Sequence, residues 1–217
     1  MNQQPMYQPF VYIVDSPSNN DLYDGYSIGM ALRDTLRAIR IPCIYKLSTD
    51  FNTFQASLSI GLKEAISVFQ VQSNLSSYPF IHLCTHGFEN GIVLTNNTFI
   101  DWQQLKKLLL THKSITGFEP YICMASCNGY QAINMANAFD KSFSVLIGNT
   151  GIVLQSDLMV AYLSFYNHLF YKSATFEQAV RAMRSASGNQ NFYYALGDAI
   201  RRQKLAEINF QQPIFNF

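Results

Sequence analysis

Two kinds of hydrophobic pattern alternate along this chain. Short unbroken apolar runs bounded by turn residues have the length of buried strands. Longer stretches with an apolar residue every three or four positions have the spacing of helices. Phe10–Asp15 (FVYIVD) is the first run, and the loop Ser16–Asp24 that follows is rich in Ser, Asn, Asp and Pro. Gly25–Ile39 carries Ile28, Leu32, Leu36 and Ile39 on one helical stripe. Pro42–Leu47 predicts a second strand. Phe54–Val71 predicts a helix with Leu58, Leu62, Ala65, Ile66 and Phe69 on one face, and Phe80–Thr85 a third strand.

The second half continues the alternation. Gly91–Ile100 is two short apolar runs around Asn96–Asn97, a hairpin pattern. Asp101 is placed to cap a helix over Trp102–Leu110. Tyr121–Ser126 reads as a fourth long strand, Tyr130–Phe139 as a helix and Ser144–Gly148 as a fifth strand. Asp157 is placed to cap a long helix to Tyr171, and Thr175–Ala186 is a further helix. Phe192–Ile208 fits either state: Phe192, Tyr194 and Leu196 alternate, yet the segment also has helical spacing. Apolar strands alternating with helices predict an α/β fold, a mostly parallel sheet of about six strands with helices on both faces. No repeat or linker interrupts the order, so 1–217 reads as a single domain.

Composition adds exclusions. Of 217 residues, 48% are hydrophobic and only 13% charged. The charged share is about half the usual roughly 25%, so Asn, Gln, Ser and Thr must carry solubility. The net charge is +1 and no basic block marks a nucleic-acid footprint. No apolar run approaches the ~20 residues of a membrane span. Met1–Gln8 is polar and lacks the basic start of a signal peptide. With four Cys expected to be free thiols (Cys43, Cys84, Cys123, Cys127), a cytoplasmic location is the expectation. Aromatic residues, at 14%, suit a Phe-rich core, and some could line a groove.

The candidate chemistry lies in two strands. Ile81–Gly87 (IHLCTHG) ends in His86–Gly87, and Tyr121–Gly129 (YICMASCNG) ends in Cys127–Asn128–Gly129. In open parallel sheets, ligands bind beyond the carboxyl ends of the strands at a topological switch point. The interval between His86 and Cys127 leaves room for the hairpin and one crossover helix, so the two strands can be neighbours, ~4.8 Å apart. A thiol nucleophile and an imidazole base would then meet at the strand tips. A thiolate at a helix N-terminus is also favoured electrostatically, and Cys127 lies just ahead of the helix expected from Tyr130. A zinc site built from His82, Cys84, His86, Cys123 and Cys127 is the metal alternative. Strand geometry opposes it: His82 and His86 would stand roughly 13 Å apart at ~3.3 Å per residue, whereas zinc ligands lie ~2.0–2.3 Å from one ion. His82, Cys84 and Cys123 therefore read as core or supporting residues, Cys43 as core, and His112 and His168 as helix surface or edge.

HLCTHG and ICMASCNG resemble the catalytic His-Gly and Cys motifs of the caspase-like cysteine peptidases (caspases, metacaspases, gingipains, separases), and most of all the bacterial proteins with a CHAT-type domain. Gly91–Leu94 and Ile100–Leu105 are similar to the hairpin and helix that follow the His in that group, and Asp157–Arg184 to the late helix pair of CHAT domains. The resemblance covers roughly Phe10 to Arg184 in order of elements. It implies a cysteine endopeptidase that cuts a protein substrate at limited sites and needs no cofactor or metal. Cys127 would be the nucleophile and His86 the general acid/base, with the backbone amides of Gly87 and Cys127 as oxyanion hole. It also implies a role in bacterial defence or regulated cell death, with an activating sensor or upstream protease as partner; the charge and the short apolar runs lead to the expectation of no nucleic-acid or membrane partner.

In this group the pocket for the residue before the cut is built from the loop after the first strand, the residues just before the Cys and the segment after the fifth strand. Here those are Asp15–Asp24, Ala125–Ser126 and Asn149–Leu154. Asp24, or Asp21, lies where basic-specific relatives place a pocket acid, with Ala125, Ser126, Asn149 and Thr150 beside it. A carboxylate there would pair with Arg or Lys. Ala125 departs from the Asp that metacaspases carry two residues before the Cys, and Asp24 is equally suited to capping the first helix. An apolar pocket lined by the surplus aromatics is the alternative. Gly148–Gln155 could pair with an extended substrate as an added strand. Ser187–Asn191 (SGNQN) is a candidate for internal cleavage. Two other functions fit the same residues: a catalytically silent interaction module of the same fold, and a thiol acyl-transfer enzyme such as a transpeptidase.

Overall fold

The computed structural model describes residues 7–73 and 76–211. Of the polar stretch Met1–Gln8, the first six residues lie outside them. Nine strands form two sheets among the described residues. The large sheet holds β1 (Tyr7–Asp15), β2 (Cys43–Leu47), β3 (Ser76–Cys84), β7 (Tyr121–Ala125), β8 (Val145–Asn149) and β9 (Phe192–Leu196), in the order β2-β1-β3-β7-β8-β9. All its pairings are parallel except β8 with β9. The small sheet is antiparallel: β4 (His86–Phe88), β5 (Gly91–Val93) and β6 (Phe99–Asp101). The hairpin expected around Asn96–Asn97 is therefore extended by a third strand that begins at His86.

The strands are apolar throughout because both sheet faces are covered. Phe10, Tyr12 and Val14 of β1 point to one face and Val11 and Ile13 to the other, all fully buried, as the two-residue period of a strand requires. The first face is covered by α3 (Phe51–Ala56), a π-helical turn (Ser57–Gly61), α4 (Leu62–Ser73) and α5 (Trp102–Thr116). The Tyr12 hydroxyl reaches through that face to donate to the Ser57 carbonyl at 2.6 Å, where the helix widens. The second face is covered by α2 (Ile28–Ala38), α6 (Gln155–Tyr171) and α7 (Phe176–Ser187). Each large side chain buried this way contributes about 1.5–3 kcal/mol.

Helix ends follow their capping residues. Asp101 caps α5 in a capping box with Gln104, and Thr175 caps α7 with Gln178. Three expectations change. Asp157 does not cap α6: the helix starts at Gln155 after Leu154, and Asp157 sits in its first turn, where a carboxylate still complements the helix dipole. Gly129–Met135 winds as a tight 3-10 helix in place of an α-helix to Phe139, entered from Asn128 in the left-handed region and without a side-chain cap. His112 is buried, because α5 runs on to Thr116 and carries it on the same stripe as Trp102, Leu105 and Leu109. The ambiguous 192–208 segment is both things in turn, β9 and then α8 (Gly197–Gln211). Ser16–Asp24 contains a one-turn helix, α1 (Asn19–Tyr23). Among the described residues no helix is long and apolar enough to cross a membrane.

Candidate active site

The chain leaves β1 toward the β2 edge and returns on the other side of β1 as β3. The carboxyl ends of β1, β3 and β7 therefore sit side by side at a switch point, in the register Asp15, Cys84, Ala125. A cavity of about 510 Å³ opens there, and both His86 and Cys127 line it. β3 and β7 are direct neighbours, as the interval between the two motifs allows.

His86 is the first residue of β4, and its side chain is exposed. Cys127 is half-buried, whereas Cys43, Cys84 and Cys123 are buried. The Cys127 sulfur accepts the Val153 N–H at 3.4 Å, and its thiol points to the Val153 carbonyl at 3.8 Å. The next residue, Asn128, takes a left-handed conformation and donates its N–H to the Gly151 carbonyl at 2.9 Å. The segment after β8 thus holds the Cys127 turn from the far side. Gly87 packs so tightly on this turn that a Cβ there would overlap the Cys127 carbonyl oxygen. Only glycine fits, and the backbones of Gly87 and Cys127 come together at the mouth.

The floor of the cavity is polar and incompletely satisfied. Asp15 is fully buried at the end of β1. One of its carboxylate oxygens accepts a bond from the Ser27 hydroxyl and another from Tyr45 at 3.0 Å. Among the described residues the second oxygen, Oδ1, meets no hydrogen-bond partner, nor do the buried hydroxyls of Thr85 and Ser126 on the same wall. Burial pushes the Asp15 carboxyl above its ordinary value, and the Ser27 and Tyr45 bonds oppose that shift. The first turn of α2 closes over it: a Cβ on Gly29 would lie 2.5 Å from the Asp15 carboxyl carbon.

The other candidates separate into two groups. Asp21, Ala125 and Ser126 line the cavity. Asp21 stands at its rim, where its carboxylate accepts from Ser18 at 2.8 Å and from Gln155 at 3.3 Å. Asp24 does not line the cavity; it is the C-cap residue of α1, exposed. The helix it was expected to cap is capped by Ser27 instead. Asn149 is buried below the mouth, bonded to Asn189 and to the Gly151 N–H, and Thr150 bonds Asn191 through its backbone. These two shape the turn that carries Val153. Ser187–Asn191 has exposed residues but is tied down through Asn189, which bonds Asn149, Asp157 and the Asn191 N–H.

Sequence reasoning placed Asp15 in the pocket segment but did not single it out among the acids there. The signal was a carboxylate ending a buried apolar strand. Tyr26, Ile152 and Val153 at the mouth were likewise unmarked, Tyr26 and Ile152 being 69% and 85% exposed.

His82, Cys84 and Cys123 stay in the core. His82 meets the Tyr166 hydroxyl at 2.8 Å through Nδ1, and burial drives its pKa down to about 3. Burial pushes the Cys123 thiol up to about 12. His82 is buried in the core, whereas His86 is exposed and lines the cavity.

No protein-family model matches this chain, and no curated protein sequence does. Its structure is similar to the X-ray structure of a secreted C11 cysteine protease from Bacteroides thetaiotaomicron, iotapain, with a TM-score of 0.56. The match is 13% identical and covers 89% of this chain and 68% of that one. At that identity the likeness lies in the arrangement of strands and helices. The protein has the α/β fold of the caspase-like cysteine peptidases.

Proposed function

We propose that this protein is a cysteine endopeptidase that cuts a protein substrate after a basic residue at limited sites. The observation that carries the reading is the convergence of His86 and Cys127, from neighbouring strand ends, on one cavity with a buried carboxylate at its floor.

The reaction follows from these groups. Cys127 gives its proton to His86, and its sulfur adds to the substrate carbonyl carbon. The C–O π pair moves to oxygen, where the amides of Gly87 and Cys127 stabilise it, a contribution of a few kcal/mol. The pair returns, the C–N bond breaks, and His86 delivers the proton to the departing amine. Water then adds to the thioester with His86 taking its proton, and the acid and free thiol are released.

The basic preference rests on Asp15. An ionised carboxylate without a full set of partners is costly in a buried site. A Lys or Arg side chain entering beside Asp15 would supply the missing donor, with Thr85 and Ser126 able to accept its remaining N–H groups. Asp21 adds negative charge at the rim. Activation by a sensor or an upstream protease, and a role in defence or regulated cell death, are the wider setting that the family resemblance suggests.

Fluorogenic peptides varying the residue before the cut, given to wild type and Cys127→Ala, test the reading. Cleavage after Arg or Lys by the wild type alone is expected. Equal cleavage by Cys127→Ala would overturn it. Silence from both, with no labelling of Cys127 by a thiol-directed peptide electrophile, would favour the interaction module.

A further inference from the structure

His86 borders two cavities. One is the cavity it shares with Cys127; the other, of about 320 Å³, lies between the loop after β1 and the β5–β6 turn. General acid catalysis dictates what must sit near the second. The departing amine takes its proton from His86, so the residue that carries this amine is held next to the imidazole. The residue before the cut occupies the cavity over Asp15, which leaves the second cavity for the residue after it.

The walls of this second cavity are fastened together. Ser16 accepts the Thr95 N–H at 2.9 Å and meets the Thr95 hydroxyl at 3.1 Å, and that hydroxyl donates to the Pro17 carbonyl at 2.7 Å. Ser16 and Thr95 are both buried. The β5–β6 turn is braced further by the Asn96 N–H on the Thr49 carbonyl at 3.0 Å. A cavity held this way is ready before substrate arrives. Its lining joins amide, hydroxyl and apolar groups: Asn19 and Asn20 from the loop after β1, Phe88 from β4, and Val93, Thr95 and Asn97 from β5 and the turn after it, and among the described residues that line it none but His86 is ionisable. Asn97 sits in the left-handed region, φ 64°, which turns the backbone of the rim.

We infer that this cavity is the subsite for the first residue after the cut, and that it selects an uncharged, hydrogen-bonding side chain: Ser, Thr, Asn or Gln. Side-chain amides offer both donors and acceptors to such a group. A Lys or Arg side chain would face the proton that His86 carries with no carboxylate among the described lining residues to offset it, and an Asp or Glu side chain would pair with that proton and hold it back from the departing amine. The inference rests on the peptidase reading.

The test is a set of internally quenched peptides with Arg before the cut and each residue type in turn after it, with products identified by mass. Ser, Thr, Asn and Gln are expected to give kcat/KM at least tenfold above Asp, Glu, Lys and Arg. Asn97→Asp is expected to move the preference toward Lys and Arg. Cleavage after Arg with a flat profile, or one unmoved by Asn97→Asp, overturns the subsite and leaves the peptidase standing. No cleavage of any peptide by the wild type overturns both.

Discussion

The backbone of Gly87 rests on that of Cys127 so closely that a Cβ on residue 87 would overlap the Cys127 carbonyl oxygen and lie 2.8 Å from the Cβ and Oγ of Ser126. Residues from the ends of two strands are thereby locked at the point where the oxyanion would form. Gly87→Ala must push the two segments apart. The expected cost is about 1–3 kcal/mol of stability, the usual range for overpacking. The displaced amides should lower kcat by about 10²–10³, as loss of an oxyanion donor does. Urea unfolding and steady-state kinetics read the two effects. A folded Gly87→Ala with wild-type kcat would remove the oxyanion role from this pair.

His86→Ala separates the proton-transfer role from binding. Its side chain is exposed, so truncation should leave the unfolding free energy from urea titration within about 0.5 kcal/mol of wild type. The rate should fall by about 10²–10⁴, the contribution typical of a general acid/base. An unchanged rate would assign the base elsewhere.

Asp15 links specificity to stability. Asp15→Asn removes the charge that a Lys or Arg substrate would meet, and cleavage after those residues should fall by about 2–5 kcal/mol in kcat/KM. Cleavage after a neutral residue, where detectable, should be affected far less. The stability effect has the opposite sign. Burial raises the wild-type carboxyl in the folded state, with the Ser27 and Tyr45 bonds opposing. The folded chain therefore holds this proton more tightly than the unfolded chain does. Wild type loses stability as pH climbs from the ordinary carboxylate value of about 3.9 through the raised one. Asn carries no such penalty, so the Tm of Asp15→Asn minus that of wild type should grow over this window. A difference that is constant with pH would contradict the raised value.

Much of this site could be read from the sequence because its two motifs are local. IHLCTHG and YICMASCNG are apolar runs whose length marks a buried strand and whose ends mark a strand tip, and the sheet pairs β3 with β7 as the interval between them allows. The buried acid at the cavity floor was harder, because acids in a loop read as candidates equally well. Asp21 and Asp24 differ by one helical turn, and the five-residue α1 sends Asp21 to the rim and leaves Asp24 at its C-terminal end. That helix rests on the Ser18 cap, a short-range signal easily lost among the other Ser and Asn residues of the loop. His112 was misjudged for a related reason. The helix was expected to end at Leu110, but Gly117, φ 77°, ends it after Thr116 and keeps His112 inside.

The two buried histidines set how the fold responds to acid. Burial lowers His82 to about 3 and His112 to about 4; the Phe118 carbonyl bonded to His112 pulls the latter part of the way back. Both are neutral when folded but take up a proton near pH 6.5 when unfolded. The sign follows: their contribution is fully present above pH 6.5 and is lost as pH falls toward 4 and then 3. The slope is at most about 1.4 kcal/mol per pH unit for each histidine. Ordinary carboxylates titrate below about pH 5, and Asp15 acts in the opposite sense, so a falling urea midpoint between pH 6.5 and 5 belongs to the histidines. Asn in place of either keeps a polar group near Nδ1, which bonds Tyr166 in one case and Phe118 in the other. His82→Asn and His112→Asn should each reduce the fall, and the double variant should remove it. A wild-type midpoint that stays level from pH 6.5 to 5 would mean that these rings are protonated as readily in the folded chain as in the unfolded one.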